Sequence, residues 1–487
     1  MSNVLLYYER VNPTTWAYLS SLLLIALFFK FNRVWSVRNL DLIGLILLAP
    51  GLLSVIYGQD KGQSVYQQAG YIWLFVVGGL FLVRMLVDPL MVRRPLLEPN
   101  LSVGGMTFLG LSLLLFLMAN VATDRPSGSH SGTGATAAAG TSDTASEESA
   151  TALAEEKPAS DASAPAQETA LDIYGPGYPW VFDIFKLPTR FLFEGKQKGQ
   201  AASEEHSYNA QRLLQQATAR TVAVISYVAI VFGLVFIGFR HFDNTKAGIA
   251  AAVLYLLLPY TAILTGRYLA LGNGQESPNV GQVYHVLLAA LLVWAVAMYR
   301  RPLVSGILLG VAVGMFYYPV FLLPLWCSFY WQRGVMRFAG GVVAMLLVLV
   351  AILYFHPYSG SFGEDLRQMF GWIVPRTKNL QGFWGLQFND PVFRLPVLIA
   401  FGAMCVTLAI WPAQKNLGTL LSGSAAVMLG VQFWHALGGG QLLGWYLPVL
   451  LLTVFRPNLE DRVALSVLGQ WHLRRRKPRL AAVDRAA

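Results

Sequence analysis

The chain has 487 residues, of which 55% are hydrophobic and 13% charged, with a mean hydropathy of +0.50 and a formal net charge of +10. Composition this apolar excludes a soluble globular protein and indicates a polytopic membrane protein. The positive charge does not mark a nucleic-acid partner, because Lys and Arg sit in short loops and in the tail Arg474-Arg475-Arg476-Lys477, with no patch interleaved with exposed aromatics.

No cleavable leader is expected: the first apolar run starts near Trp16, lacks a basic segment before it and has no small-residue cleavage site. Runs of spanning length follow at about 14–30, 40–57, 69–87, 103–120, 219–239, 246–265, 281–299, 338–356, 393–411, 417–434 and 441–455, with a longer uncharged block at 302–331. Arg84, near the end of its run, is expected to snorkel toward headgroups. Cys327 and Cys405 both lie in apolar runs, so neither a disulfide framework nor a Cys-based metal site is expected.

Between 121 and 218 the chain leaves the apolar pattern. From 126 to 170 it is Ala, Ser, Thr, Gly and acidic residues, a composition that cannot offset its ordering entropy, and disorder is expected. The stretch from Leu171, with Tyr174-Gly-Pro-Gly-Tyr-Pro179 and further aromatics, suits an ordered or interfacial segment. A second long loop, 357–392, is again rich in Trp, Phe, Gly and Pro.

The 302–331 block is about thirty residues, whereas one helix crosses a membrane in roughly 20. Pro319 and Pro324 interrupt it, Gly306, Gly310 and Gly314 recur four apart, and cations flank it at Arg300, Arg301 and Arg333. A broken-helix hairpin returning to its own side satisfies these constraints. With the basic tail cytoplasmic, the loops holding Lys415, Arg333, Arg300, Arg240, Arg93 and Lys30 all fall on that side if the hairpin counts as an even number of crossings. The expected architecture is all-α, with about 11 full spans plus the hairpin and large outer loops. It divides into an N-terminal three-span extension (1–102), a membrane domain (103–455) and a basic cytoplasmic tail (456–487).

The blocks Ala247–Arg267 and Gly281-Gln-Val-Tyr-His285 through Tyr318-Pro-Val-Phe-Leu-Leu-Pro-Leu, with Tyr174–Pro179 and His435-Ala-Leu-Gly-Gly-Gly-Gln-Leu-Leu-Gly-Trp-Tyr-Leu-Pro448, resemble the GT-C membrane glycosyltransferases. The likeness is to the family 87 type that uses polyprenol-phosphate mannose, and it covers roughly 170–455. The family often carries Lys just before the Pro of the return helix, where this chain has Met315-Phe-Tyr-Tyr-Pro319. The resemblance implies a hexosyltransferase moving a mannose-like sugar from a polyprenyl-phosphate donor to a glycan or lipid acceptor on the non-cytoplasmic face of a bacterial inner membrane. No cofactor is expected, and no His/Asp/Glu spacing suggests a structural metal site.

Such chemistry needs a carboxylate to accept the acceptor's proton and cations or N–H groups to hold the departing phosphate. Asp124, directly after the 103–120 run, and Asp172 and Asp183, in the aromatic part of the first outer loop, are the candidate acids. Arg267, Gln282, His285, Tyr318, Arg376, Lys378 and His435 are the candidate substrate-binding residues, with Trp372 and Trp384 beside the two loop cations. Each has a plainer role open to it: loop carboxylates solvated, cations anchoring helix ends, histidines packing. Walker and Rossmann glycine motifs do not occur in a strand–helix context, so nucleotide-driven transport is not expected. A transporter or flippase of lipid-linked or polar substrates and a non-catalytic GT-C-like scaffold stay open beside the transferase.

Overall fold

The computed structural model describes residues 12–91, 97–123, 204–261, 280–355, 361–370, 380, 382–386, 390–436 and 439–457. The described residues are helical; the sole bridge among them pairs Gly382 with Gly439. The helices are α1 (Pro13–Phe28), α2 (Val37–Asp60), α3 (Ser64–Val87), α4 (Val103–Thr123), α5 (Glu204–Arg240), α6 (Thr245–Leu257) and α7 (Val280–Ala297). They continue as α8 (Pro302–Met315), α9 (Leu323–Tyr330), α10 (Val335–Phe355), α11 (Phe362–Phe370), α12 (Arg394–Ile410), α13 (Leu417–Trp434) and α14 (Leu447–Phe455). Among the described residues six segments are long and apolar enough to cross a membrane: Val37–Gly58, Ser64–Leu90, Val103–Ala122, Arg220–Arg240, Val335–Phe355 and Leu417–Trp434.

Local chemistry sets the starts and stops. Asn12 caps α1 by accepting from Thr14 N–H, with Pro13 at the first helical position. Asn416 and Thr419 cap α13 reciprocally, each side chain bonding the other's backbone N–H. Regular helix in α6 ends at Leu257, because Pro259 bars Leu258 from helical backbone; residues 262–265 of the expected run lie outside the described residues.

Helix α13 is the axis of the bundle: 89% of its span is buried, against 28% for Val103–Ala122. Helices α3, α9, α12 and α14 pack around it, and one continuous apolar core runs from Trp16 to Phe455. The first spans are built into that core. Tyr260 donates to Leu45 O (3.3 Å) in α2, and Gln441 Nε2 donates to the Tyr71 hydroxyl (2.7 Å) in α3.

The 302–331 block breaks as its prolines require. Phe316 closes α8 in an extended conformation, a 3₁₀ turn covers Tyr318–Leu322, and α9 follows with Pro324 in its first turn. The two limbs return to one end, where Tyr330 Oη donates to Tyr299 O (2.6 Å). The glycine row does not line a groove. It packs on α10, where a Cβ on Gly306 would meet Phe338 O at 2.2 Å and one on Gly341 would meet Leu303 O at 2.4 Å. Small residues on both helices let the backbones touch, as in small-xxx-small contacts between membrane helices.

Contacts gather the cationic loops at one end of the bundle. Arg333 Nη1 donates to Lys415 O (2.8 Å), and His241 Nε2–H donates to Ala297 O (2.7 Å). The expectation that Arg84 snorkels is overturned. Arg84 forks onto Asp41 (2.9 and 3.2 Å) and reaches Asp88 (2.9 Å), and Asp88 also accepts from Arg456 Nε (3.2 Å), just past α14. Asp41, Asp88 and Arg456 are all buried, and Arg456 lies so close over Gly418 that a Cβ there would meet its Nη1 at 2.5 Å. Two cations and two carboxylates thus tie α2 and α3 to the ends of α13 and α14. Four charges at this depth persist only because each is paired.

Candidate functional site at the aromatic end

The opposite end of α13 carries a cluster of aromatic rings. It forms because two sequence breaks meet there. Pro319 forces the turn after α8 and places Tyr318 at its tip. Helix α13 ends at Trp434, and His435 leaves it in an extended conformation with its N–H on Val431 O (3.0 Å). The Tyr318 ring centroid lies 4.8 Å from that of His435, 5.2 Å from Trp445 and 5.6 Å from Trp434. His435 and Trp445 meet edge-on at 5.6 Å, and the Tyr317 ring lies tilted beside Tyr318 at 4.1 Å. The separations of Tyr318 from His435, Trp445 and Trp434 are in the range of favourable ring pairs.

A buried cation lies at the same end. Arg394, the first residue of α12, donates through Nε (3.2 Å) and Nη2 (2.9 Å) to Trp434 O, within electrostatic range of the Tyr318 and Tyr317 hydroxyls. Trp384, from the second long loop, donates to Phe433 O (2.9 Å). The last carbonyls of α13, which a helix cannot satisfy internally, are therefore taken by an indole and a guanidinium, and the cation suits the negative end of the helix dipole. Gln432 fixes the following loop: its Oε1 accepts from Gly440 N (3.1 Å) and Leu442 N (3.2 Å). Gly440 takes φ +90°, a conformation that favours glycine.

The indole N–H of Trp434 and the Nε2 of Gln432, both in buried side chains at this end, lack an acceptor among the described residues. Buried donors are ordinarily satisfied, so an oxygen-rich ligand would find N–H groups already in place. Phe383 stacks on Phe75 at 4.0 Å and holds the second loop against α3.

Of the residues singled out in the sequence, Tyr318 and His435 are brought together across the fold. Gln282 and His285 fall within α7, in its first turns, where only the backbone is described. Asp124, Asp172, Asp183, Arg267, Arg376 and Lys378 lie outside the described residues. Sequence reasoning missed Arg394. Its signal was a lone cation opening an apolar run between Pro391 and Pro396, directly after the loop that supplies Trp384. No group of three or more His, Cys, Asp or Glu side chains able to hold a metal ion occurs among the described residues.

Neither a family model, nor a curated protein, nor a solved structure matches this chain.

Proposed function

We propose that the chain is a multi-pass membrane glycosyltransferase of GT-C type, which moves a mannose-like sugar from a polyprenyl-phosphate donor to a glycan or lipid acceptor at the aromatic end of the bundle. One observation carries the reading: the turn of the broken helix and the His435–Pro448 element, separate blocks of the resemblance, meet at the Tyr318–His435 contact of 4.8 Å. Aromatic faces suit stacking on sugars, and the orphan N–H donors of Trp434 and Gln432 suit phosphate or hydroxyl oxygens. Arg394 offers a guanidinium near the turn where the family's Lys is absent, which answers the need for a cation beside a departing phosphate.

In this reading about 11 spans and the hairpin cross a bacterial inner membrane. The basic end and the C-terminus are cytoplasmic, following the ordinary Lys/Arg bias. The base that takes the acceptor's proton is Asp124 or Asp172, with Asp183 the third candidate. Membranes carrying the full chain, supplied with a labelled polyprenyl-phosphate sugar, test the assignment. Replacing the true base by Ala should cost on the order of 10²–10⁴ in rate. Full activity in all three single variants would remove the assigned acids.

A second reading has its own observation. Tyr318 and His435 are 6% and 4% exposed, so their rings already fill the space between them. A non-catalytic scaffold with the same architecture would be packed in this way. Release of sugar from the lipid donor separates the two readings, because a scaffold or a flippase leaves the sugar–phosphate bond intact.

A further inference from the structure

The short connection between α1 and α2 is built with more care than a linker needs. Helix α1 stops at Phe28, a 3₁₀ turn covers Phe31–Arg33, and α2 begins at Val37. One fully buried side chain shapes this loop. Asn39 Nδ2 donates to Lys30 O (2.9 Å), Arg33 O (3.0 Å) and Val34 O (3.2 Å), while its Oδ1 accepts from Lys30 N (3.2 Å). A second Asn braces it from the segment before α4. Asn100 N–H donates to Leu27 O (2.7 Å), its Nδ2 donates to Ala26 O (2.9 Å) and Phe29 O (3.3 Å), and its Oδ1 accepts from the Lys30 ammonium. The carbonyls at the end of α1 and in the loop are thus satisfied from within, and the loop is set in one shape.

That shape turns large apolar side chains outward. Phe31 is 73% exposed and Trp35 85%. Neither lies along a span where acyl chains would cover it. Both sit in the connection at the cationic end, a few residues from Asp41 of the buried ion network. Residues 29–38 carry Lys30, Arg33 and Arg38 and no carboxylate. Trp, with an apolar body and a polar edge, favours the headgroup level of a bilayer, an exposed Phe favours the acyl chains just below it, and Lys and Arg favour phosphate oxygens.

We propose that the 29–38 loop is a preformed binding site for the headgroup of an anionic phospholipid, with Lys30 and Arg33 on the phosphate and Phe31 and Trp35 at the acyl-chain boundary. The bracing by Asn39 and Asn100 holds the loop in one shape, so the ordering cost of binding is already met inside the fold. The proposal stands apart from the transferase reading and holds whatever reaction the aromatic end performs.

The test uses the full chain purified in a neutral detergent and titrated with phosphatidylglycerol or phosphatidylcholine. Retained lipid is counted by native mass spectrometry, alongside the thermal unfolding midpoint. Wild type should retain phosphatidylglycerol over phosphatidylcholine and gain a higher midpoint from it. Lys30→Gln with Arg33→Gln should cut that retention by about fivefold for each cation removed. Trp35→Ala, an exposed position whose loss leaves the fold intact, should also lower it. Arg300→Gln with Arg301→Gln, at the same end of the bundle, should leave it near wild type. Equal losses in the two charge variants would reduce the effect to general surface charge and overturn the site. So would equal retention of the two lipids, or inorganic phosphate alone reproducing the midpoint shift. Loop variants that change the protein's assembly state while lipid retention holds would also refute it, making the loop a protein-docking surface.

Discussion

Replacing Asp88 by Asn tests whether the four-charge network binds the first spans to the last helix. Asn keeps the shape and one acceptor oxygen but removes the negative charge. Two guanidiniums, Arg84 and Arg456, then face a single remaining carboxylate of the set, Asp41. Asp88 is fully buried, so solvent cannot take its place. Breaking a buried pair by removing one partner costs about 3–5 kcal/mol. Asp88→Asn with Arg456→Gln restores neutrality and leaves the Asp41–Arg84 fork, whose donors lie 2.9 and 3.2 Å from the carboxylate. The double variant should therefore be less destabilised than Asp88→Asn alone, with a coupling of about 0.5–3 kcal/mol. Unfolding free energies from a denaturing-detergent titration measure both. A single variant within about 0.5 kcal/mol of wild type, or a double variant costing the sum of its parts, would refute the network's role.

The packing of the broken helix makes a sharp pair. Gly341→Ala places a Cβ 2.4 Å from Leu303 O and must push α8 from α10, whereas Gly340→Ala, one residue away, enters open space. The same titration should show a loss of about 1–3 kcal/mol for the first and little change for the second; equal effects would contradict the contact. At the cationic end, burial, with Arg300 and Arg240 nearby, pushes the His241 imidazole down from 6.5 to about 4 despite its bond to Ala297 O. The unfolded chain then binds the extra proton first, so stability is full above about pH 6.5 and falls as the pH drops toward 4. The loss approaches about 3 kcal/mol at the acid end. His241→Gln should flatten that window in an unfolding series across pH, and an unchanged slope would contradict the assignment.

The hairpin was legible because its cause is local. A block too long for one helix, interrupted by Pro319 and flanked by cations, has few ways to fold. The glycine row within it was legible as a feature but not as a function, since only the fold shows that α10 brings Gly341 to meet it. Arg84 misled for the same reason. A lone Arg near a span end reads as a snorkelling side chain until Asp88 and Arg456, 368 positions apart, are seen to meet beside it. Tyr318 and His435 came from separate blocks of one resemblance, and nothing in their spacing required contact. Arg394 was missed because a single cation before an apolar run is the commonest pattern in membrane proteins. Its role depends on the end of α13, which the sequence places no nearer than 40 residues.

Transfer itself is the decisive measurement. The purified full chain, reconstituted with a labelled polyprenyl-phosphate sugar and a membrane acceptor fraction, should release the sugar from its lipid phosphate and pass it on. Arg394→Gln should lose most of that rate while the chain still folds, because the guanidinium bound to Trp434 O at this end is gone. Intact donor after incubation with folded wild-type protein, or undiminished transfer by Arg394→Gln, would contradict the transferase reading or the cation assigned to it, respectively.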